Sequence, residues 1–434
     1  MFRRAFSVVS LVVAFSAGRL AAAEPKVWVG EHLTELVELY REFHQHPELS
    51  FQERRTSARL AEELRRAGAE VTAPFGSNGV VGILSNGPGP RVMLRTDLDA
   101  LPVTEQTGLV YASQVKTKGQ NGQETGVMHA CGHDIHITNL IGVARYLAAN
   151  KDHWRGTVML LGQPAEELGG GARNVLAAGL FTKFPKPDVA LALHVDSTLA
   201  TGKVTYRAGY TGANVDSVDI LLRGRGGHGA QPHTTIDPIV QAAQLVLDLQ
   251  TIVSREIKPI DAAVITVGSI HAGAKHNIIA DTCHLQLTVR SQSPEVRKHL
   301  LSAIRRKALA AAASAGAPEP TVEFSDATPA VKNDEQLVER VLPVFRRLLG
   351  DENVVLAEPK MGGEDFSEYG VAGVPIFMFG LGSVEPQRLA GFKRLGQSAP
   401  SLHSALYYPD AEAALATGVN VMANAVLELL PPSN

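Results

Sequence analysis

Three apolar runs of this 434-residue sequence are each followed or ended by side chains that bind metals or move protons. RVMLR is followed by Asp97 and Asp99, TVMLLGQ is followed by Glu166 and Glu167, and DVALALHV has His194 at its predicted tip. Ligands of open parallel sheets bind outside the carboxyl ends of the strands. We therefore expect these side chains to share one edge of a sheet.

A fourth segment, HACGHDIH, carries Cys131 and His133 just before a predicted helix, in a loop that places both on a common side. Thiolate, imidazole and carboxylate groups together suit zinc, and also nickel, manganese or cobalt. Successive side chains diverge at a strand end, so one of Glu166 and Glu167 can bind metal while its neighbour stays free as a base. Water that is bound to metal and deprotonated by such a carboxylate is a nucleophile for amide hydrolysis.

Each segment also has a purely structural interpretation. The two aspartates fit helix caps, the glutamate pair fits a solvated charge pair, and His194 fits a buried histidine with its hydrogen bonds satisfied. All four segments would then have to reach the same edge by chance, which favours the metal site.

The elements around these segments predict an α/β fold. Residues 31–68 have the pattern of two amphipathic helices broken near Pro47, and apolar strands then alternate with helices. Continuous apolar strands that alternate with helices indicate a largely parallel sheet with helices on both faces.

A second unit interrupts this pattern. The order β-α-β-β-α-β between residues 212 and 329 is that of a ferredoxin-like fold, so we expect an inserted lid or dimerisation domain at 212–329. The catalytic domain then comprises 24–211 and 330–434, and the insertion begins and ends at one place in it.

The first 23 residues have the layout of a secretory signal: a basic start, a short apolar run and an A-x-A site ending at Ala23. We expect an exported protein, periplasmic or secreted, with no membrane contact after cleavage; an uncleaved anchor is the alternative. The sequence has only two cysteines, for which we expect a metal role at Cys131 and packing at Cys283 rather than a disulfide. A formal net charge of −3 gives no reason to expect a nucleic-acid partner.

Two competing chemistries have little support. The sequence has no G-x-S-x-G motif of α/β serine hydrolases. Residues 224–229 fit G-x-G-x-x-G, but they open the inserted unit instead of a helix after a parallel strand, so dinucleotide binding is not predicted.

Together, these motifs resemble the zinc aminoacylase and carboxypeptidase superfamily, in the amidohydrolase branch of hippurate and auxin-conjugate hydrolases. The similarity extends over nearly all of the chain after residue 23. Its motifs are FHQHPELSF, RTDLDALP, MHACGHDIH, QPAEE, GGHGAQPH with TIDPI, SREIKPID, VGSIHAG, LTVR, MGGEDF and LHS.

The resemblance implies two divalent metal ions per subunit. It implies that Cys131 bridges them, that His133 and His194 bind one ion, and that Glu167 and His403 bind the other. Glu166 is then the general base, and Asp99 orients the ligands without touching metal.

The resemblance also implies roles on the inserted domain. His228 stabilises the oxyanion, Asn277 and Arg290 hold the substrate carboxylate or amide, and the backbone of Gly362 and Gly363 lines the acyl side. Relatives commonly pair as homodimers through this domain and lend the histidine across the interface. Either domain closure or a partner subunit can therefore bring His228 to the site.

One departure affects the pocket: LHS is followed by ALYYPD where the family usually has proline and an aromatic-acidic run. The predicted activity is metal-dependent hydrolysis of N-acyl amino acids or similar small amides, hippurate-like or auxin-conjugate-like. A dipeptidase or carboxypeptidase of the same superfamily is the nearer alternative. A binding protein on a retired enzyme fold would have lost ligands or base, and this chain keeps them all.

Overall fold

The computed structural model describes residues 24–119 and 122–432. The predicted signal segment, residues 1–23, lies outside them. The α-helices of the described residues are α1 (Pro25–Gln45), α2 (Arg54–Arg66), α3 (His133–Ala149), α4 (Gly171–Ala177), α5 (Leu180–Lys183), α6 (Pro238–Thr251), α7 (Pro294–Ser314), α8 (Glu335–Leu349), α9 (Ser367–Val371), α10 (Pro386–Arg394) and α11 (Ala411–Leu429). Within this part of the chain, no helix is both long and apolar enough to cross a membrane.

The strands of the same residues are β1 (Glu70–Phe75), β2 (Gly79–Asn86), β3 (Arg91–Asp97), β4 (Lys116–Lys118), β5 (Glu124–Gly126), β6 (Gly156–Gln163), β7 (Val189–Ala200), β8 (Val204–Tyr206), β9 (Gly209–Tyr210), β10 (Asn214–Arg223), β11 (Gly227–His228), β12 (Ala263–Ala272), β13 (Ile278–Ile279), β14 (Thr282–Ser291), β15 (Thr321–Thr328), β16 (Lys332–Asn333), β17 (Val354–Leu356) and β18 (Ile376–Val384). Short 3-10 helices lie at Lys151–His153, Pro232–Thr234 and Asp351–Asn353, and a π-helix, Ile252–Glu256, follows α6.

The large sheet has eight strands in the order β1-β2-β6-β3-β7-β18-β8-β17. Its four central strands, β6, β3, β7 and β18, run parallel, so the predicted α/β architecture is confirmed. Antiparallel pairs occur toward the edges, where β1 pairs with β2, β2 with β6, and β8 with β18.

Helices cover both faces of this sheet. Leu94 of β3 packs into the core that contains Tyr40 of α1 and Val419 of α11. Its neighbour Met93 points to the opposite core, which contains Tyr369 of α9. Both faces of β3 are thus buried, which explains why its sequence is a continuous apolar run instead of an alternating one.

The second unit has its own antiparallel sheet, in the order β12-β14-β10-β15. Burial alternates residue by residue along β10, and its buried side chains share a core with α6 and α7. The element order β10-α6-β12-β14-α7-β15 is the predicted ferredoxin-like order. The connecting segments to the large sheet touch each other, because Thr211 N donates to Val331 O.

Two details of the predicted elements were wrong. His133 is the first residue of α3 and not part of the preceding loop, because the helix begins directly after Gly132, whose φ is 76°. His194 is not at a strand tip: β7 continues to Ala200, because its pairing with β18 extends that far.

Candidate active site

Asp99 organises the turn that carries the two adjacent glutamates. One of its carboxylate oxygens accepts the backbone N–H of Glu166, and the other accepts that of Glu167 and the hydroxyl of Ser50. The turn also contains Ala165 at a φ of 52°, which L residues rarely adopt. Strained backbone of this kind persists where surrounding contacts hold it, and it clusters at functional sites.

Hydrogen bonds fix the tautomers of two histidines. His133 Nδ1 donates to the backbone oxygen of Asp99 at 2.8 Å, and His194 Nδ1 donates to that of Val195 at 2.8 Å. In the neutral form of each ring, the lone pair of Nε2 is therefore left for a ligand. His194 Nε2 lies 3.5 Å from Cys131 Sγ.

Cys131 is common to two groups of side chains that could each hold a metal ion. Its partners are His133 and His194 in one group, and Glu167 and His403 in the other. His403 Nε2 lies 3.3 Å from Cys131 Sγ and 3.6 Å from Glu167 Oε2. Like Ala165, His403 has a positive φ, 67°. The structure thus brings together all five side chains predicted to bind metal.

Several properties of these side chains fit two cations. His133 Nε2 and Glu167 Oε1 are buried without a hydrogen-bond partner, a costly state that a bound cation would relieve. Burial lowers the pKa of His194 and of His403, which favours the neutral imidazole that binds metal. Burial raises the pKa of the Cys131 thiol, so a cation is what would favour its thiolate.

Glu166 lies beside this cluster, within 3.9 Å of His133 Nε2. It also belongs to a buried acidic group with Glu364 and Asp365. Burial, and then the charges of Glu364 and Glu167, raise the pKa of Glu166 well above its usual value. A carboxylate in such surroundings accepts protons readily near neutral pH.

A cavity of about 220 Å³ adjoins the cluster at His194. Gly362 and Gly363 line it, together with Tyr206, Val331, Phe379 and Leu402. A side chain at 363 would place its Cβ 2.7 Å from Val215 Cγ2, so glycine lets the backbone pass close to the second unit.

The hydrogen bonds described for the three residues predicted on the second unit do not go to the cluster. His228 is exposed, and its Nδ1 accepts the N–H of Ala230. Asn277 is nearby, since its backbone oxygen accepts the N–H of Gly229. Arg290 lies on β14, and its Nη1 donates to the backbone oxygen of Met361. Of these three, only Arg290 therefore contacts the segment that lines the cavity.

Sequence reasoning missed a buried polar network behind the site. It comprises Arg95, His136, Gln163, Glu364 and Asp365, joined to Asp97. One signal was present: a fully charged residue, Arg95, inside an apolar strand is rarely buried unless it is paired.

The comparison with protein families gives one match over most of the chain. Residues 93–428 match the profile of Peptidase family M20/M25/M40. "Thermostable carboxypeptidase 1" of Saccharolobus solfataricus is 37% identical over 338 residues, which is 77% of this chain and 82% of that protein. "N-acetyl-L-cysteine deacetylase" of Bacillus subtilis is 37% identical over 339 residues, 77% of each chain. "IAA-amino acid hydrolase ILR1-like 4" of Arabidopsis thaliana is 36% identical over 342 residues, 77% of this chain and 74% of that one.

Among solved structures, a Bacillus subtilis protein described as a dinuclear metal binding peptidase superposes with a TM-score of 0.76. It is 30% identical in sequence, and the match covers 92% of this chain and 99% of that one. The same fold therefore holds two metal ions in that similar protein.

Proposed function

Because this chain belongs to Peptidase family M20/M25/M40, and is thus a metal-dependent hydrolase, we propose that it hydrolyses the amide bond of N-acyl amino acids or similar small amides. The observation that carries the proposal is the set of five side chains around Cys131, with a sixth, Glu166, left outside both ligand groups that share the thiol. That arrangement offers two adjacent cation sites that share the thiol, with Glu166 beside them as the base.

We assign the ligands accordingly. Cys131 is the shared ligand, His133 and His194 complete one site, and Glu167 and His403 complete the other. Two bound ions would supply Lewis acidity, which polarises the amide carbonyl and makes water acidic enough to react near neutral pH. Zinc, manganese, nickel or cobalt fits this donor set.

Glu166 moves the proton. Its carboxylate takes a proton from water as the amide carbon is attacked, and it later delivers that proton to the leaving amine. Asp99 holds the backbone N–H groups of Glu166 and Glu167, so one side chain orients both the base and a ligand. A base and a metal ligand at adjacent positions need a backbone of fixed conformation. The strained turn at Ala165 fits that need.

The second unit supplies substrate contacts in this proposal. Arg290 and Asn277 hold the carboxylate of the amino-acid part, and His228 donates to the oxyanion. Because His228 is exposed and makes its hydrogen bond within its own loop, it has to reach the site, together with the neighbouring Asn277, by closure of the second unit or from a partner subunit.

The cavity beside His194 receives the acyl group. Its volume of about 220 Å³ exceeds the roughly 150 Å³ of an apolar cavity that binds benzene, so an aryl acyl group fits. An N-acetyl-L-cysteine deacetylase and an IAA-amino acid hydrolase among the relatives support acyl amides as substrates. A carboxypeptidase among the relatives supports a second candidate function. In it, the same catalytic side chains cleave dipeptides or the C-terminal residues of peptides.

A substrate panel tests the proposal. The purified protein, stripped of metal and then supplied with Zn²⁺, Mn²⁺, Ni²⁺ or Co²⁺, is assayed for amino-acid release from hippurate, N-acetyl amino acids, indole-acetyl amino acids and dipeptides. We expect metal-dependent release that favours acyl amino acids. Faster cleavage of dipeptides would support the peptidase alternative, and no hydrolysis of any amide with any metal would refute both.

A further inference from the structure

Arg95 has no solvent-exposed side-chain surface, yet it lies in β3 only two residues before Asp97. Its guanidinium group donates in three directions. Nε donates to Gln163 Oε1 at 3.0 Å, Nη1 to Asp97 Oδ2 at 2.8 Å, and Nη2 to Asp365 Oδ1 at 3.0 Å. Nη2 also lies 2.9 Å from Glu364 Oε1. Such a planar fork of donors fixes the relative positions of the groups that accept from it.

Two of these acceptors, Glu364 and Asp365, belong to the segment 361–366, which includes the cavity-lining Gly362 and Gly363. Asp365 has further partners, because Gln163 Nε2 donates to its Oδ1 and Ala172 N donates to its Oδ2. Glu364 Oε1 also accepts the N–H of Phe366. The segment is therefore fastened to β6, α4 and β3, and Arg95 is the group that contacts both of its carboxylates.

On its other side, Arg95 connects through Asp97 to β7, the strand that carries the predicted ligand His194. Asp97 Oδ1 accepts from His136 Nδ1 at 2.7 Å, and His136 Nε2 accepts the N–H of Val195 at 2.9 Å. Val195 follows the predicted ligand His194. One continuous chain of buried hydrogen bonds thus joins the metal-binding strand to the segment that forms the acyl cavity.

The acidic group formed by Glu166, Glu364 and Asp365 has ligand atoms close enough to hold a cation. The guanidinium of Arg95 already contacts two of its three members, Glu364 and Asp365. The guanidinium cation therefore already offsets part of the negative charge of this cluster. Without that cation, the buried carboxylates would repel one another and the segment 361–366 would move.

We propose that Arg95 is a positioning residue, whose guanidinium holds the segment 361–366 so that Gly362 and Gly363 form the acyl wall and Glu364 stays beside Glu166. It touches neither the metal ligands nor the cavity. The inference rests on the proposed function, because it takes the cavity to be the acyl pocket of that reaction. Arg95 is then the buried charge that keeps the wall of this pocket in place. Substrates whose acyl group reaches the wall should depend on Arg95 more than N-acetyl substrates do.

The test compares Arg95→Lys, which keeps the charge and loses the fork, with the control Arg91→Lys on the same strand. Arg91 is exposed and pairs with Asp188, so its change alters no group behind the site. We expect Arg95→Lys to keep both metal ions and to lose about 10²-fold in kcat/KM on a benzoyl amino acid, since misplacement by about 1 Å has effects of that size. The loss on the N-acetyl amino acid should be at least several times smaller, and Arg91→Lys should match the wild type on both.

Hydrogen exchange of the segment 361–366 gives a readout that does not depend on activity. We expect faster exchange there in Arg95→Lys than in the wild type, with unchanged exchange in α11. If Arg95→Lys does not fold, Asp365→Asn, which weakens the same anchor without removing the arginine, is measured in the same two ways. Unchanged exchange of the segment, or equal losses on both substrates, overturns the inference. If the wild type cleaves no amide, the proposed function fails, and the exchange result still decides whether Arg95 holds the segment.

Discussion

Replacing Glu166 by glutamine should separate catalysis from metal binding. The substitution keeps the shape of the side chain and removes its capacity to accept a proton. Positioned acid-base catalysis contributes about 10²- to 10⁴-fold in rate, which corresponds to about 2.7 to 5.4 kcal/mol of activation free energy. We expect kcat to fall within that range while both metal ions stay bound.

The same substitution should stabilise the metal-free protein. Burial, Glu364 and Glu167 raise the pKa of Glu166, so its charged form weakens the fold. A group whose pKa is raised on folding contributes stability that is complete below its unfolded pKa and is lost as pH rises. Glutamine does not undergo that loss. At pH 8 the variant should therefore gain about 0.5–2 kcal/mol, or about 1–4 °C in Tm, and the gain should vanish near pH 4.

Glu167→Gln is the matched control. Glu167 is the next residue in the chain, and it belongs to the ligand group with Cys131 and His403. Metal content per chain, kcat at saturating metal, and Tm of the chelator-treated protein are measured for both variants. Glu167→Gln should lose metal and activity together. Metal loss in Glu166→Gln in step with its activity would refute the assignment of Glu166 as the base, and a lower Tm at pH 8 would refute the electrostatic reasoning.

Three further predictions concern other parts of the molecule. Cys131→Ser should lose metal, measured after dialysis against chelator, because a neutral hydroxyl replaces the ligand shared by both groups; full metal content would contradict the assignment. Although burial lowers it, the pKa of His44 is raised to about 9 by hydrogen bonds to Asp134 and Glu105, so its stabilisation is complete below about 6.5 and is lost as pH rises through about 9. Denaturant titrations should show that the free energy of unfolding of the wild type exceeds that of His44→Gln most near pH 6 and least above pH 9. A difference that does not depend on pH would contradict this. Mixing inactive Glu166→Gln and His228→Ala subunits should restore activity if the histidine acts across a dimer; no recovery in subunits shown to exchange would support closure within one chain.

Part of the site could be assembled from sequence because Asp99, Glu166 and Glu167 follow the ends of strands. The ends of β3 and β6 lie next to each other in the sheet, so Asp99 and Glu167 had to meet. His403 lies far along the chain, in a loop after α10, and only the family motif linked it to Cys131. Its left-handed backbone, which no local pattern indicated, helps aim the ring at the thiol.

The network of Arg95 could not be predicted from the sequence, for a physical reason. Its partners are separated from it by 2 to 270 positions, and whether a charge in an apolar strand is paired depends on contacts that no periodicity records. The predicted position of His194 at a strand tip was wrong for a similar reason. A strand ends where its partner strand stops pairing, and β18 pairs with β7 as far as Ala200.

Anomalous diffraction from crystals of the metal-reconstituted protein tests the central claim most directly. We expect two metal peaks per chain, both adjacent to Cys131 Sγ, one beside His133 and His194 and the other beside Glu167 and His403, with Glu166 bound to neither. A single peak, a peak between Glu364 and Asp365, or two peaks that do not share the thiol would contradict it.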